Sequence, residues 1–70
     1  MTIYVLEQCE IEGPSELDFY MTEDSAVEAS AKYGHSWLTL LRDKYGDLVG
    51  LDNPVRGSVE IRIWSAEVNP

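Results

Sequence analysis

The sequence predicts an α+β fold: one small domain over residues 1–70, with a mainly antiparallel sheet in the order β-β-α-β-β-β and one helix packed on one face. Three observations carry this reading. Both ends of the chain alternate apolar and polar residues with the period of a strand. Between them lies one short segment with helical spacing and a capping residue at each end. Seventy residues suffice for one helix over one sheet and little more.

Thr2–Glu12 alternates with period 2. Ile3, Val5, Cys9 and Ile11 share one face, with Glu7 as the exception, and Tyr4, Leu6, Gln8, Glu10 and Glu12 share the other. Gly13-Pro14-Ser15 breaks the run, as turn residues do. Glu16–Met21 resumes it, with Leu17, Phe19 and Met21 opposite Glu16, Asp18 and Tyr20. Side chains that face each other across a sheet share a face, so parity constrains the hairpin. A three-residue loop pairs Ile11 with Leu17 and Cys9 with Phe19 on the inner face. The same register pairs Glu12 with Glu16, Glu10 with Asp18 and Gln8 with Tyr20 on the outer face. Two carboxylate pairs then repel each other, where opposite charges would stabilise the sheet by ~0.2–1 kcal/mol.

Thr22 is a good N-cap, followed by Glu23 and Asp24 in a first turn that favours negative charge. Ala26, Val27, Ala29, Ser30 and Tyr33 form a narrow apolar arc, small enough for close approach to a sheet. Lys32 falls in the last turn and Gly34 where a helix-ending glycine belongs. Ser36–Tyr45 reads either as a second helix or as the start of a strand–turn–strand unit. The second is favoured, because Trp37–Leu41 is bulky and Asp43-Lys44-Tyr45-Gly46 has type I turn chemistry, with Leu48–Leu51 returning. Asp52-Asn53-Pro54 and Arg56-Gly57 form a loop. Ser58–Val68 is the clearest strand, with Val59, Ile61 and Ile63 against Glu60, Arg62 and Trp64. The expected core is Val5, Cys9, Ile11, Leu17, Phe19, Val27, Val59, Ile61 and Ile63. The expected solvent face carries Tyr4, Leu6, Tyr20 and Trp64.

Composition narrows the function. A 44% hydrophobic and 26% charged chain is a folded one. The single Cys9 excludes an internal disulfide and fits a reducing compartment. No apolar run reaches the roughly 20 residues of a membrane helix, and the N-terminus has no basic stretch of the kind a signal peptide carries. The expected location is the cytoplasm. Cys9 lies among apolar neighbours as a core filler would, and His35 follows the helix end, where a cation is favoured. No spacing joins them into a nucleophile and base, so no catalytic residue is expected. Asp47 and Asp52 lack calcium-loop spacing, and no His/Cys cluster suits zinc. No metal or cofactor is therefore expected. Five scattered basic residues disfavour direct nucleic-acid binding.

The acids are the feature that composition alone does not explain. Residues 1–31 contain eight acids and no Lys or Arg, whereas residues 32–70 contain five of each sign, so the net charge of −8 sits wholly in the first part. Acids kept only for solubility would be spread over the surface; segregated ones concern a partner. Carboxylates two residues apart on a strand recur every ~6.7 Å, and two such rows side by side resemble a phosphate backbone. In size, charge and lack of catalytic groups, the whole chain resembles small acidic inhibitors encoded by phages and mobile elements, including anti-CRISPR proteins, several of which mimic nucleic acids. That resemblance implies a non-enzymatic protein that docks on the basic, nucleic-acid-binding surface of a host protein. Glu10, Glu12, Glu16 and Asp18, with Glu23, Asp24 and Glu28, would supply steering charge, and Tyr20, Tyr4 or Trp64 the anchors. The rival from another class is a small structural or assembly subunit, a homodimer through the aromatic sheet face.

Overall fold

A computed structural model describes residues 1–9 and 15–69. Five strands form one sheet: β1 (Thr2–Gln8), β2 (Glu16–Tyr20), β3 (Thr39–Arg42), β4 (Leu48–Leu51) and β5 (Val59–Glu67). Their spatial order is β2-β1-β5-β4-β3, with every neighbouring pair antiparallel. One helix, α1 (Glu23–Ser30), follows β2 and continues through a wider turn, Ala31–His35. The β-β-α-β-β-β order and the strand–turn–strand reading of residues 36–51 both hold.

Local chemistry explains the ends of these elements. Thr22 has an extended backbone and its Oγ1 accepts from the Ser25 backbone N–H at 3.1 Å, so one of the helix's open donors is satisfied. The helix stops at Gly34, whose φ of 93° side chains rarely allow. In the β3–β4 turn, Asp43 Oδ1 accepts from the N–H groups of both Tyr45 and Asp47 at 2.9 Å. Gly46 closes that turn with φ 86°.

The core lies between the helix and one sheet face. Leu6, Ala26, Leu38, Ile61 and Ile63 are buried together, with Tyr4, Tyr20, Val27, Ala29, Leu40 and Leu48 packed around them. The small Ala26 and Ser30 are the buried positions of α1, and this lets the helix sit close. Gly50 makes room for the same contact: a Cβ there would stand 2.5 Å from Ile61 Cγ1 and 3.1 Å from Leu38 Cδ1. Gly50→Ala should therefore overpack the core and cost about 1–3 kcal/mol, read as a lower urea midpoint.

Two expectations need correction. The first is the register of the opening hairpin. β1 pairs with β2 as Tyr4↔Tyr20, Leu6↔Asp18 and Gln8↔Glu16, four residues away from the expected pairing. A seven-residue connection, 9–15, separates the strands instead of three. Glu16 thus faces Gln8, and Asp18 faces Leu6, so neither opposes a carboxylate on β1. Ile11, Glu10 and Glu12 lie outside the described residues.

The second correction is which face the helix covers. Leu6 pairs with Ile63 and Gln8 with Ile61, so the even residues of β1 share the isoleucine face. Tyr4, Leu6 and Tyr20 therefore point toward the helix and not to solvent. Leu17 and Phe19, expected in the core, lie on the opposite face at 48% and 63% exposure. Val5 is buried as expected, but on that opposite face, between Phe19 and Trp64 in the neighbouring strands. Cys9 and Val59 are half-buried, and neither belongs to the buried cluster. Val27, Ile61 and Ile63 stand as expected.

Candidate functional site

β2 is an edge strand, and its helix-side face carries Glu16, Asp18 and Tyr20. Beside it runs one flank of the helix. Ser25, Glu28, Ala29, Lys32 and Tyr33 recur there at helical spacing and form, with Tyr20, a cleft of about 330 Å³. Asp24 stands one turn before Glu28 and is exposed. The edge strand thus sets Glu16 and Asp18 on the helix-side face, and the helix flank sets Glu28 and the cation Lys32 in the wall of a cleft that two phenols, Tyr20 and Tyr33, also line.

Burial comes first among the causes that push the Tyr20 hydroxyl up to about 12, followed by the neighbouring Tyr33 hydroxyl and the nearby Asp18 charge. The sign follows from the direction. Both states keep the phenol protonated below its ordinary value near 10, and above it the unfolded chain ionises first. Tyr20 should therefore stabilise the fold up to about pH 10, and lose that contribution as pH rises toward about 12. Tyr20→Phe should flatten this part of the stability profile, as measured by urea melts across alkaline pH.

The remaining acids are differently placed. Glu23 lies at the start of α1, where Arg42 from β3 reaches it: Nη1 donates to Oε2 at 3.0 Å and Nη2 to Oε1 at 2.5 Å. This hydrogen-bonded pairing holds the Glu23 carboxyl below its ordinary range. Its charge is already answered within the chain, so it adds little to an outward surface. Tyr4 packs against the core beneath the helix. Trp64 projects from the other face of the sheet, beside Val5, and cannot share a contact patch with Glu16 and Asp18. Glu10 and Glu12 lie outside the described residues. Of the residues proposed from sequence, the fold thus brings Tyr20 and Glu28 to one cleft, with Asp18 and Glu16 along the same face of β2, and leaves Asp24 exposed one helical turn from Glu28.

His35 and Cys9 are directed apart. His35 Nε2 donates to Gln8 Oε1 at 3.0 Å on the helix side, and Cys9, one residue on in an extended run, has the opposite parity. Burial and the Glu7 charge push the Cys9 thiol up, which disfavours the reactive thiolate. Among the described residues, no three His, Cys, Asp or Glu side chains converge to hold a metal ion, and no helix is long and apolar enough to cross a membrane.

Sequence reasoning missed Ser25, Lys32 and Tyr33 as members of the cleft. Their signal was present: positions 25, 29 and 32 lie on one helix stripe, facing whichever strand the preceding loop leaves alongside. Tyr33 has the spacing of the apolar arc, yet it is 55% exposed and lines the cleft. Comparison with protein-family models, curated proteins and solved structures gives no match.

Proposed function

We propose that this is a non-enzymatic inhibitor that docks the acidic β2–α1 side on a basic, nucleic-acid-binding surface of a host protein, in the manner of anti-CRISPR and other anti-defence proteins. One observation supports the reading most: Glu28 lines the cleft beside Tyr20, Asp18 lies close enough to Tyr20 to act on its hydroxyl, and Glu16 shares the helix-side face of the same edge strand. A strand row with ~6.7 Å spacing and a helix row with ~6 Å spacing offer two lines of anions to Lys and Arg side chains. This differs from the paired rows expected from the hairpin, because the second row belongs to the helix. Tyr20 and Tyr33 supply apolar surface between the charges, which a contact needs because exposed charges give rate and selectivity more than affinity.

The test is affinity capture on the immobilised protein from a host lysate, followed by a salt gradient. The expected result is a nucleic-acid-handling protein that elutes progressively with salt and is displaced by duplex DNA or RNA. Retention that ignores both salt and nucleic acid would sink the reading.

A further inference from the structure

The face of the sheet away from the helix is apolar where the strands are longest. The register places Phe19, Val5 and Trp64 side by side across β2, β1 and β5. Ile3 and Ala66 are the adjoining pair on β1 and β5, and Leu17 follows Phe19 along β2. None of the six is charged. Three charged residues of β1 and β5 share this face: Glu7 lies opposite Arg62 in the next row, where Asp43 Oδ2 also accepts from Arg62 Nη1 at 3.3 Å, and Glu60 follows two residues before Arg62 on β5.

We propose that this face is the interface of a symmetric homodimer, covered by the same face of a second copy of the chain. Three observations favour a second copy over another occupant. The six side chains are uncharged, so the patch faces its own copy without setting a charge against an apolar group. Stacking the two open faces leaves Glu16 and Asp18 of β2 and Asp24 and Glu28 of α1 on the helix sides of both copies, so these four acids of each chain are kept away from the contact. The area also fits. Phe19 and Leu17, at 63% and 48% exposure, with Met1 and Met21 at 63% and 64% by the end of the patch, amount to roughly 500 Å² of surface per copy. A pair would then bury roughly 1,000 Å², the lower bound for a specific interface and about a tenth of each copy's 4920 Å². A domain this small, with one cysteine and therefore no internal disulfide, is also of the kind that oligomerisation commonly supports.

This interface is independent of the basic-partner reading, and salt separates the two. Screening weakens docking on a basic surface, while it leaves an apolar pair of like-charged chains unchanged or strengthens it. The experiment is sedimentation of the full chain from micromolar to millimolar concentration, at low and high salt. The parent should reach twice its 7.9 kDa mass, at lower concentration when salt is added. Phe19→Lys and, as a second variant, Leu17→Lys should each raise the dissociation constant at least tenfold while keeping the parent's circular dichroism. Val55→Lys, at a residue 85% exposed in the β4–β5 loop, should leave the dimer intact. A parent that stays monomeric at the highest concentration overturns the proposal. So does a dimer that tolerates both lysines, or one that Val55→Lys weakens equally.

Discussion

Leu6→Ala should destabilise the protein by about 2–5 kcal/mol, whereas Phe19→Ala should change it by no more than about 0.5 kcal/mol. Leu6 is fully buried at the junction of β1, β5 and α1, with Ile63 opposite it in the sheet. Truncation there leaves a cavity walled by the isoleucines of a rigid central strand and by the helix, neither of which can collapse inward cheaply. A domain of this length has only roughly 4–10 kcal/mol of stability in total, so most of it is at stake. Phe19 is 63% exposed on an edge strand, and its ring already meets water. The measurement is a urea melt of both variants, at concentrations low enough to keep copies apart. Equal losses in the two would mean that the helix does not cover the Leu6 face.

Periodicity alone points the other way on that pair, and the reason is physical. Both faces of β1 are apolar: Ile3 and Val5 alternate with Tyr4 and Leu6. Alternation says that a strand is present, but it cannot choose the covered side when both sides carry large hydrophobic residues. The choice is made by β5, whose Ile61 and Ile63 face the helix and whose register with β1 sets Leu6 beside them. That pairing joins residues nearly sixty positions apart, and no local pattern encodes it. One local signal did exist. Glu7 interrupts the supposed inner face, and it lies instead on the open face opposite Arg62.

The hairpin register was hidden for a related reason. A shift of four residues preserves parity, so every residue keeps its face and the alternation looks equally well satisfied in either register. Only the loop length separates the two, and Gly13-Pro14-Ser15 marks a turn without saying where the strands end. Elements fixed by short-range chemistry were legible throughout. Thr22 and Gly34 bound the helix because a side-chain acceptor and a left-handed residue are needed at those points. Asp43 and Gly46 bound the β3–β4 turn for the same kind of reason. The acidic side was half legible. The charge count located it in the first 31 residues, but the grouping around the cleft depends on how the helix lies along β2.

Glu16→Lys/Asp18→Lys should leave the fold within about 0.5 kcal/mol of the parent and weaken docking on a basic partner by at least roughly tenfold, chiefly through slower association. The two positions face Gln8 and Leu6 across the strands, so lysines there meet no opposing charge on β1 and relieve no repulsion either. Stability should accordingly stay level. Each reversal adds two units, which takes the net charge from −8 to −4, so the loss has to be separated from a general loss of negative field. Asp52→Lys, in the exposed β4–β5 loop, makes the same single change as Asp18→Lys away from the cleft and supplies that control. Association rates for the two single variants, at low and moderate salt, decide the matter. A large drop for Asp18→Lys beside a small one for Asp52→Lys locates the contact on the β2–α1 side. Equal drops would assign the effect to net charge alone, and no drop in either would leave the carboxylates with solubility as their only role.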